Sequence, residues 1–245
     1  MSADVTVLVW RVVGELDPVV LLHGQPGSGR DWNRVRRRLP PQLPVVAPDR
    51  PGYDGVSRPG GIAHSARAVI DWMDNAGVPR AHVAGLSFGG GVAAWLAAEH
   101  PQRVSSLLLI SPAANRAALQ RIDRLLAAPL LGPVLSTAMI LGAGVALRSP
   151  RLLTRRAVSA VLVEQRAMLE ELPALEAKLD RITAPTTIMI GTADTVVPPN
   201  AGRLLADQIR DARLVEIGGA RHGLTRTHPE QVAQLISRAG AALVS

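Results

Sequence analysis

Apolar positions in this chain fall into two alternating kinds of run. Short continuous runs bounded by turn residues recur at Val19 to Leu22, Val45 to Ala47, Ala81 to Ala84, Val104 to Ile110, Thr186 to Ile190 and Leu214 to Ile217, with an earlier one at Val5 to Val13. Their length and their Val, Ile and Leu content predict strands. The near absence of polar alternation within them suits a parallel sheet covered on both faces. Between these runs lie longer stretches with helical spacing. Ile62 to Ala76 sets Ala66, Val69, Ile70 and Met73 on one face and stops at Gly77, Gly90 to His100 follows the Ala81 run, and Pro229 to Ala242 closes the chain with proline in its first turn. The alternation predicts an α/β fold with a mostly parallel, doubly wound sheet. No repeat or linker divides the chain, so the core takes residues 1–111 and 184–245, and residues 112–183 form a helical insertion.

One stretch of that insertion breaks the pattern. Leu125 to Leu147 holds no charge and is bounded by Arg124 and Arg148, a length that could cross a bilayer. Pro129, Gly132, Pro133, Gly142 and Gly144 interrupt it, whereas a spanning element must keep its backbone bonded internally. The expectation is two short apolar helices forming a lid over a pocket, without membrane contact.

Composition narrows the function classes. Without cysteine, the chain has no disulfide, thiolate metal site or cysteine nucleophile. The first residues, Met1 to Asp4, carry no basic segment and Arg11 soon interrupts the apolar run, so a cytoplasmic location is expected. The net charge of +7 comes almost wholly from arginine, Lys178 being the single lysine. Aromatics make up only 2% of the residues, too few for bases to stack on, so nucleic acid is not an expected partner. Arg34, Arg36, Arg37 and Arg38 read as a solvated helix face. No cluster has metal-ligand spacing, and Gly85 to Gly91 lacks both the phosphate-loop and dinucleotide patterns, so no cofactor is expected.

Reactive side chains gather where the predicted strands end, which is where open α/β sheets place their sites. His23-Gly24-Gln25-Pro26-Gly27-Ser28 follows one strand and Gly85-Leu86-Ser87-Phe88-Gly89 another; Asp194 and His222 follow the last two. A G-x-S-x-G pentapeptide alone arises by chance in roughly one chain in ten of this composition. Its position between a strand and a helix gives it meaning, because a serine in a tight strand-to-helix turn needs small neighbours for its hydroxyl to project.

With HGQPGS at His23, GLSFGGG at Gly85, GTADTVVPP at Gly191 and GARHG at Gly219, the chain resembles the α/β-hydrolase family over nearly its whole length. The resemblance implies an α/β-hydrolase fold with Ser87 as nucleophile, His222 as general base and Asp194 as the acid that orients it. It further implies an oxyanion hole from the backbone N–H groups of Gln25 and Phe88, and a structural role for His23. The short N-terminus implies a sheet without its first edge strand. Substrate-pocket candidates are Trp32, Leu131, Val134, Met139 and Val196.

Rivals remain for each role. Asp49 and Asp54 compete with Asp194, and His228 competes with His222. His82 and His100 read as structural, and His64 as a helix-start residue. Relatives that open epoxides or remove halogen use aspartate where this chain has Ser87. The insertion holds no Tyr, Trp or Phe, which suits aliphatic acyl groups. Its arginines Arg116, Arg121, Arg124, Arg148 and Arg151 read as surface residues, with recognition of a substrate carboxylate as the minority role. The expected reaction is hydrolysis of an ester, lactone or thioester of a small-molecule substrate. Carbon–carbon bond hydrolysis or a related lyase reaction, and a non-enzymatic or slow-turnover ligand receptor, stand as alternatives.

Overall fold

A computed structural model of the chain describes residues 17–146 and 153–241. The expected strand at Val5 to Val13, and with it the question of a missing edge strand, lies outside these residues, as do Arg148 and Arg151.

Six strands form one parallel sheet: β1 (Val19–Leu22), β2 (Val45–Val46), β3 (Ala81–Leu86), β4 (Val104–Ile110), β5 (Thr186–Gly191) and β6 (Arg213–Ile217). Their order is β2-β1-β3-β4-β5-β6. Because side chains alternate along a strand, each strand feeds two cores. Val20, Leu22, Val83, Leu107, Leu109 and Ile188 face α2 (Ile62–Asn75) and α3 (Phe88–Glu99). Val19, Leu21, Ala84, Leu108, Ile110 and Met189 face Trp32, α1 (Asn33–Arg36) and the helix Pro229–Ala241. Continuous apolar runs are therefore what this sheet requires.

Helix α2 ends as its sequence predicts. Gly77 takes φ +66, its N–H donates to Asp74 O at 3.1 Å, and the Val78 N–H donates to Met73 O at 2.8 Å. That pair of bonds satisfies carbonyls the helix end would otherwise leave bare.

Between β4 and β5 stand α4 (Arg121–Ala127), α5 (Gly132–Ala146) and α6 (Arg155–Glu176). Of the two apolar helices expected within Leu125 to Leu147, the structure shows one, α5; α4 begins upstream, carries Arg121, Asp123 and Arg124, and only its last turn enters the stretch, while α6, the longest helix described, went unpredicted. Among the described residues no single helix is long and apolar enough to cross a membrane; α4 and α5 qualify only as a pair, and they are bent by 110°. Which face of α5 is buried departs from expectation. Gly132, Ser136, Ile140 and Gly144 turn inward, and a Cβ on Gly132 would collide with the Leu126 carbonyl oxygen. Close approach thus selects the small residues, so Val134, Leu141 and Val145 are left on the outer surface.

Carboxylates on α6 tie it to the rest of the molecule. Glu171 accepts the Ile62 N–H at the start of α2 (2.5 Å), and Glu176 bonds Arg116 (2.7 Å) and Gln208 (2.9 Å). Glu164 reaches further in, to Arg50.

Candidate active site

The order of strands reverses at β1. From there the chain steps out to β2 and returns to the other side of β1 as β3, so the loops after β1 and β3 part in opposite directions and leave a crevice. Ser87 stands on one side of it and the His23–Ser28 loop on the other. A Cβ placed on Gly24 would lie 3.2 Å from Ser87 Cβ.

Ser87 joins β3 to α3 with φ 53 and ψ −119, a backbone state costly for any L-residue. Four hydrogen bonds hold it there. Its N–H donates to Ile110 O (2.9 Å), and its carbonyl accepts from Gly90 (2.8 Å), Gly91 (3.3 Å) and Ala113 (3.0 Å). Glycine is required on both sides. A Cβ at Gly85 would strike the Gly89 carbonyl, and one at Gly89 would stand 2.5 Å from His23 O. The Phe88 N–H opens α3 and so has no partner within that helix. Among the described residues neither it nor the Gln25 N–H donates a backbone hydrogen bond outside helices and strands. Two free amides thus border the serine crevice.

Beyond β4, at the same edge of the sheet, Asp194 follows β5 and His222 follows β6. Asp194 Oδ2 meets His222 Nδ1 at 2.7 Å, and Asp194 Oδ1 accepts the N–H groups of Val196 (2.9 Å) and Val197 (3.0 Å). Burial opposes the aspartate charge, but the His222 contact and the two amides outweigh it and hold the carboxyl below its usual range. A carboxylate so placed keeps the Nδ1 proton on the ring and leaves Nε2 as the basic nitrogen. Among the described residues Ser87 Oγ and His222 share no hydrogen bond; the structure brings Asp194 and His222 together on the ends of β5 and β6, with the serine at the end of β3, beyond β4, on the same edge of the sheet.

The rivals have other partners. Asp49 accepts the Gly29 N–H (2.7 Å), Asp54 accepts from Val56 and Ser57 (both 2.9 Å), and His228 bonds Thr227 (2.8 Å). His82 meets Ser106 across the β3–β4 register (2.7 Å), and His100 caps α3. His23 is fully buried. Its Nε2 accepts the Arg50 N–H (2.9 Å), so its Nδ1 carries the proton given to Gly24 O (2.8 Å). Burial, reinforced by the Arg50 charge, lowers its pKa well below that of an ordinary histidine and keeps it neutral.

The pocket candidates fare differently. Trp32 is a correction: at 0% exposure it packs with Leu21, Val35 and Leu86 in the core, because the turn at Gly29–Trp32 folds the indole under the sheet. Leu131, Val134 and Val196 are 54%, 68% and 56% exposed, which is surface and not pocket wall. Met139 is partly buried against the small cluster of Ile140, Ala157 and Val161. Sequence reasoning missed Arg50, Tyr53, Glu164 and Gln165, which form a buried polar network behind Gln25. A signal existed. Glu164 sits on the same buried helical face as Ala157, Ala160, Val161, Met168, Leu172 and Leu175, the one charge there, beside the polar Gln165.

Residues 19–235 match the Alpha/beta hydrolase family. The chain belongs to that family. This alpha/beta hydrolase is 30% identical over 237 residues to a pimeloyl-[acyl-carrier protein] methyl ester esterase of Neisseria meningitidis, covering 89% of this chain and 91% of that protein. A putative carbamate hydrolase, RutD, of Azorhizobium caulinodans is 28% identical, with 94% of this chain and 93% of that one aligned. Among solved structures, a hydrolase from Pseudomonas aeruginosa PA01 superposes on the alpha/beta hydrolase with a TM-score of 0.70 and 27% identity, over 95% of this chain and 91% of that one. The parallel sheet and flanking helices are those of the family. Among the described residues, no three His, Asp or Glu are grouped to hold a metal ion.

Proposed function

We propose that this hydrolase cleaves a carboxylic ester, with lactones and thioesters as chemical equivalents, by acyl transfer through Ser87. The observation that carries the reading is the His222–Asp194 contact at 2.7 Å on the ends of β5 and β6, at the same edge of the parallel sheet as a serine held at positive φ between two free amides. His222 Nε2 takes the Ser87 proton as Oγ attacks the acyl carbon. The N–H groups of Gln25 and Phe88 receive the developing oxyanion, an interaction whose loss costs about 3 kcal/mol per donor. The tetrahedral centre then expels the alkoxide, and His222 returns the proton to it. Water, activated by the same nitrogen, releases the acid and restores Ser87.

Residues 112–183 serve as the lid in this reading, with an aromatic-free composition that suits aliphatic acyl groups. The names of the relatives, an ester hydrolase and a carbamate hydrolase, support attack on an acyl carbon bearing an oxygen or nitrogen leaving group.

A fluorophosphonate probe and short p-nitrophenyl esters test it. Covalent labelling of the folded protein that vanishes in Ser87→Ala, with ester turnover lost in parallel, is the expected result. Equal labelling of wild type and Ser87→Ala, or none of either, refutes it.

A further inference from the structure

Arg50 lies at the centre of a buried cluster that the acyl-transfer scheme does not use. Its Nε donates to His23 O (2.9 Å) and its Nη2 to Gly24 O (2.9 Å), while Nη1 pairs with Glu164 of α6. Both partners of that ion pair are essentially closed to water. The Tyr53 hydroxyl donates to the other Glu164 oxygen at 2.9 Å. The guanidinium lies 4.5 Å from the Phe88 ring centroid and 5.2 Å from that of Tyr53. Buried charges are costly even when paired, and an apolar pair of similar volume often serves stability as well or better. Stability alone therefore gives little reason for this pair.

Geometry supplies a reason. The Gly24 carbonyl and the Gln25 N–H belong to one peptide unit; that unit is trans, the cis bond being the next one, Gln25–Pro26. In a trans peptide the C=O and N–H point in opposite directions within a rigid plane. Two donors, Arg50 Nη2 and His23 Nδ1, grip the carbonyl and so fix where the amide points. They also draw electron density toward the oxygen, which makes the N–H on the far side a stronger donor. The side chain of Gln25 is held as well: Nε2 donates to Val161 O (3.2 Å) and Oε1 accepts from Gln165 Nε2 (2.8 Å), both on α6. The same guanidinium lies over the ring of Phe88, whose amide is the second free donor.

We propose that Arg50, anchored by Glu164 and Tyr53, is a positioning residue that orients and polarises the Gln25 amide for the oxyanion, so that helix α6 completes the electrostatics of the site. The proposal rests on Ser87 being the nucleophile. In it, the insertion acts on the chemistry through a backbone plane and not by touching substrate.

The test is the double variant Arg50→Met/Glu164→Met, which removes both charges together and leaves no lone buried ion. Sites are counted by fluorophosphonate titration and turnover of p-nitrophenyl butyrate is expressed per active site. The expected result is a folded protein with near wild-type Tm, little change in KM and kcat lowered roughly 10- to 100-fold, a fraction of the loss from deleting an oxyanion donor. The affinity of a trifluoromethyl ketone, which forms an oxyanion at the same place, should weaken in proportion to kcat/KM. A residue with only a structural role would move Tm or the titrated site count, not that ratio. If the double variant fails to fold, Arg50→Lys keeps the cation but not the two-carbonyl grip, and its kcat per site should fall about fivefold or more with KM unchanged. A kcat per site within about twofold of wild type in whichever folded variant is read overturns the inference while Ser87 stands. Wild-type protein that neither takes the label nor turns over ester overturns the Ser87 reading and this inference together.

Discussion

The conformation of Ser87 makes a prediction that needs no substrate. At φ 53 and ψ −119 the residue sits where a Cβ is crowded by its own backbone, at a cost of about 1–3 kcal/mol. The four hydrogen bonds to its N–H and carbonyl, each worth about 1 kcal/mol net, are enough to hold it there. Ser87→Ala keeps the Cβ and the strain, whereas Ser87→Gly removes both. Against the relief stands the greater freedom glycine gives the unfolded chain, about 0.5–1 kcal/mol. The net expectation is that Ser87→Gly is the more stable of the two by about 1 kcal/mol, a rise in Tm of about 2–4 °C for a domain of this size. Urea and thermal unfolding of the two variants, followed by far-UV circular dichroism, measure the difference directly. A Ser87→Gly protein no more stable than Ser87→Ala would refute the argument that the turn stores strain.

Other perturbations follow from the same geometry. Gly89→Ala puts a methyl group 2.5 Å from the His23 carbonyl, backbone against backbone, and should cost about 3 kcal/mol or more, read as a large loss of the urea midpoint. Asp194→Asn offers His222 an amide that favours the wrong ring tautomer; kcat for ester hydrolysis should drop about 10⁴-fold with the fold intact. His23 binds its proton less readily folded than unfolded, so the unfolded state takes up more protons below about pH 6.5, and stability falls there by at most about 1.4 kcal/mol per pH unit. Burial raises the carboxyls of Glu164, Asp31, Asp123 and Glu171, which works in the opposite direction as pH falls. The measurement is therefore the difference in pH slope between wild type and His23→Gln, and equal slopes would contradict a buried neutral His23.

Much of this fold could be read from local pattern, since continuous apolar runs have one good use in a domain of this length. Val104 to Ile110 needed only length and branching to be placed as a strand, and Gly77 marked the end of α2 because a left-handed cap favours glycine. Ser87, Asp194 and His222 stood out because turn chemistry at strand ends is local too. What escaped depends on contacts between distant residues. Helix α6 mixes charges into its buried stripe, and Glu164 makes sense there only when Arg50, from another loop, is beside it. The outward face of α5 was misjudged for a related reason. A helix that is apolar all round carries no polarity signal, and close packing of its small residues decided its orientation. Trp32 was misplaced because adjacency in sequence to the His23–Ser28 loop says nothing about which side of the sheet the chain then takes.

Strands β4 and β5 pair directly, Leu107 opposite Thr186 and Ile110 opposite Met189, although residues 111–185 separate them in sequence. The sheet register is therefore indifferent to what is spliced in at that point, and the segment has the character of an interchangeable cassette. Side chains of the segment that enter the core, such as Met168, Leu172 and Leu175, and its bonds to Ile62 and Gln208 restrict the exchange. A donor cassette from another enzyme would inherit the sheet and the Asp194–His222 pair, but would have to supply a backbone donor to the Ser87 carbonyl in the place of Ala113, and would leave Arg50 without a counterion unless it brought a carboxylate to the place of Glu164. Chimeras that swap specificity at this junction should be designed around that one position first.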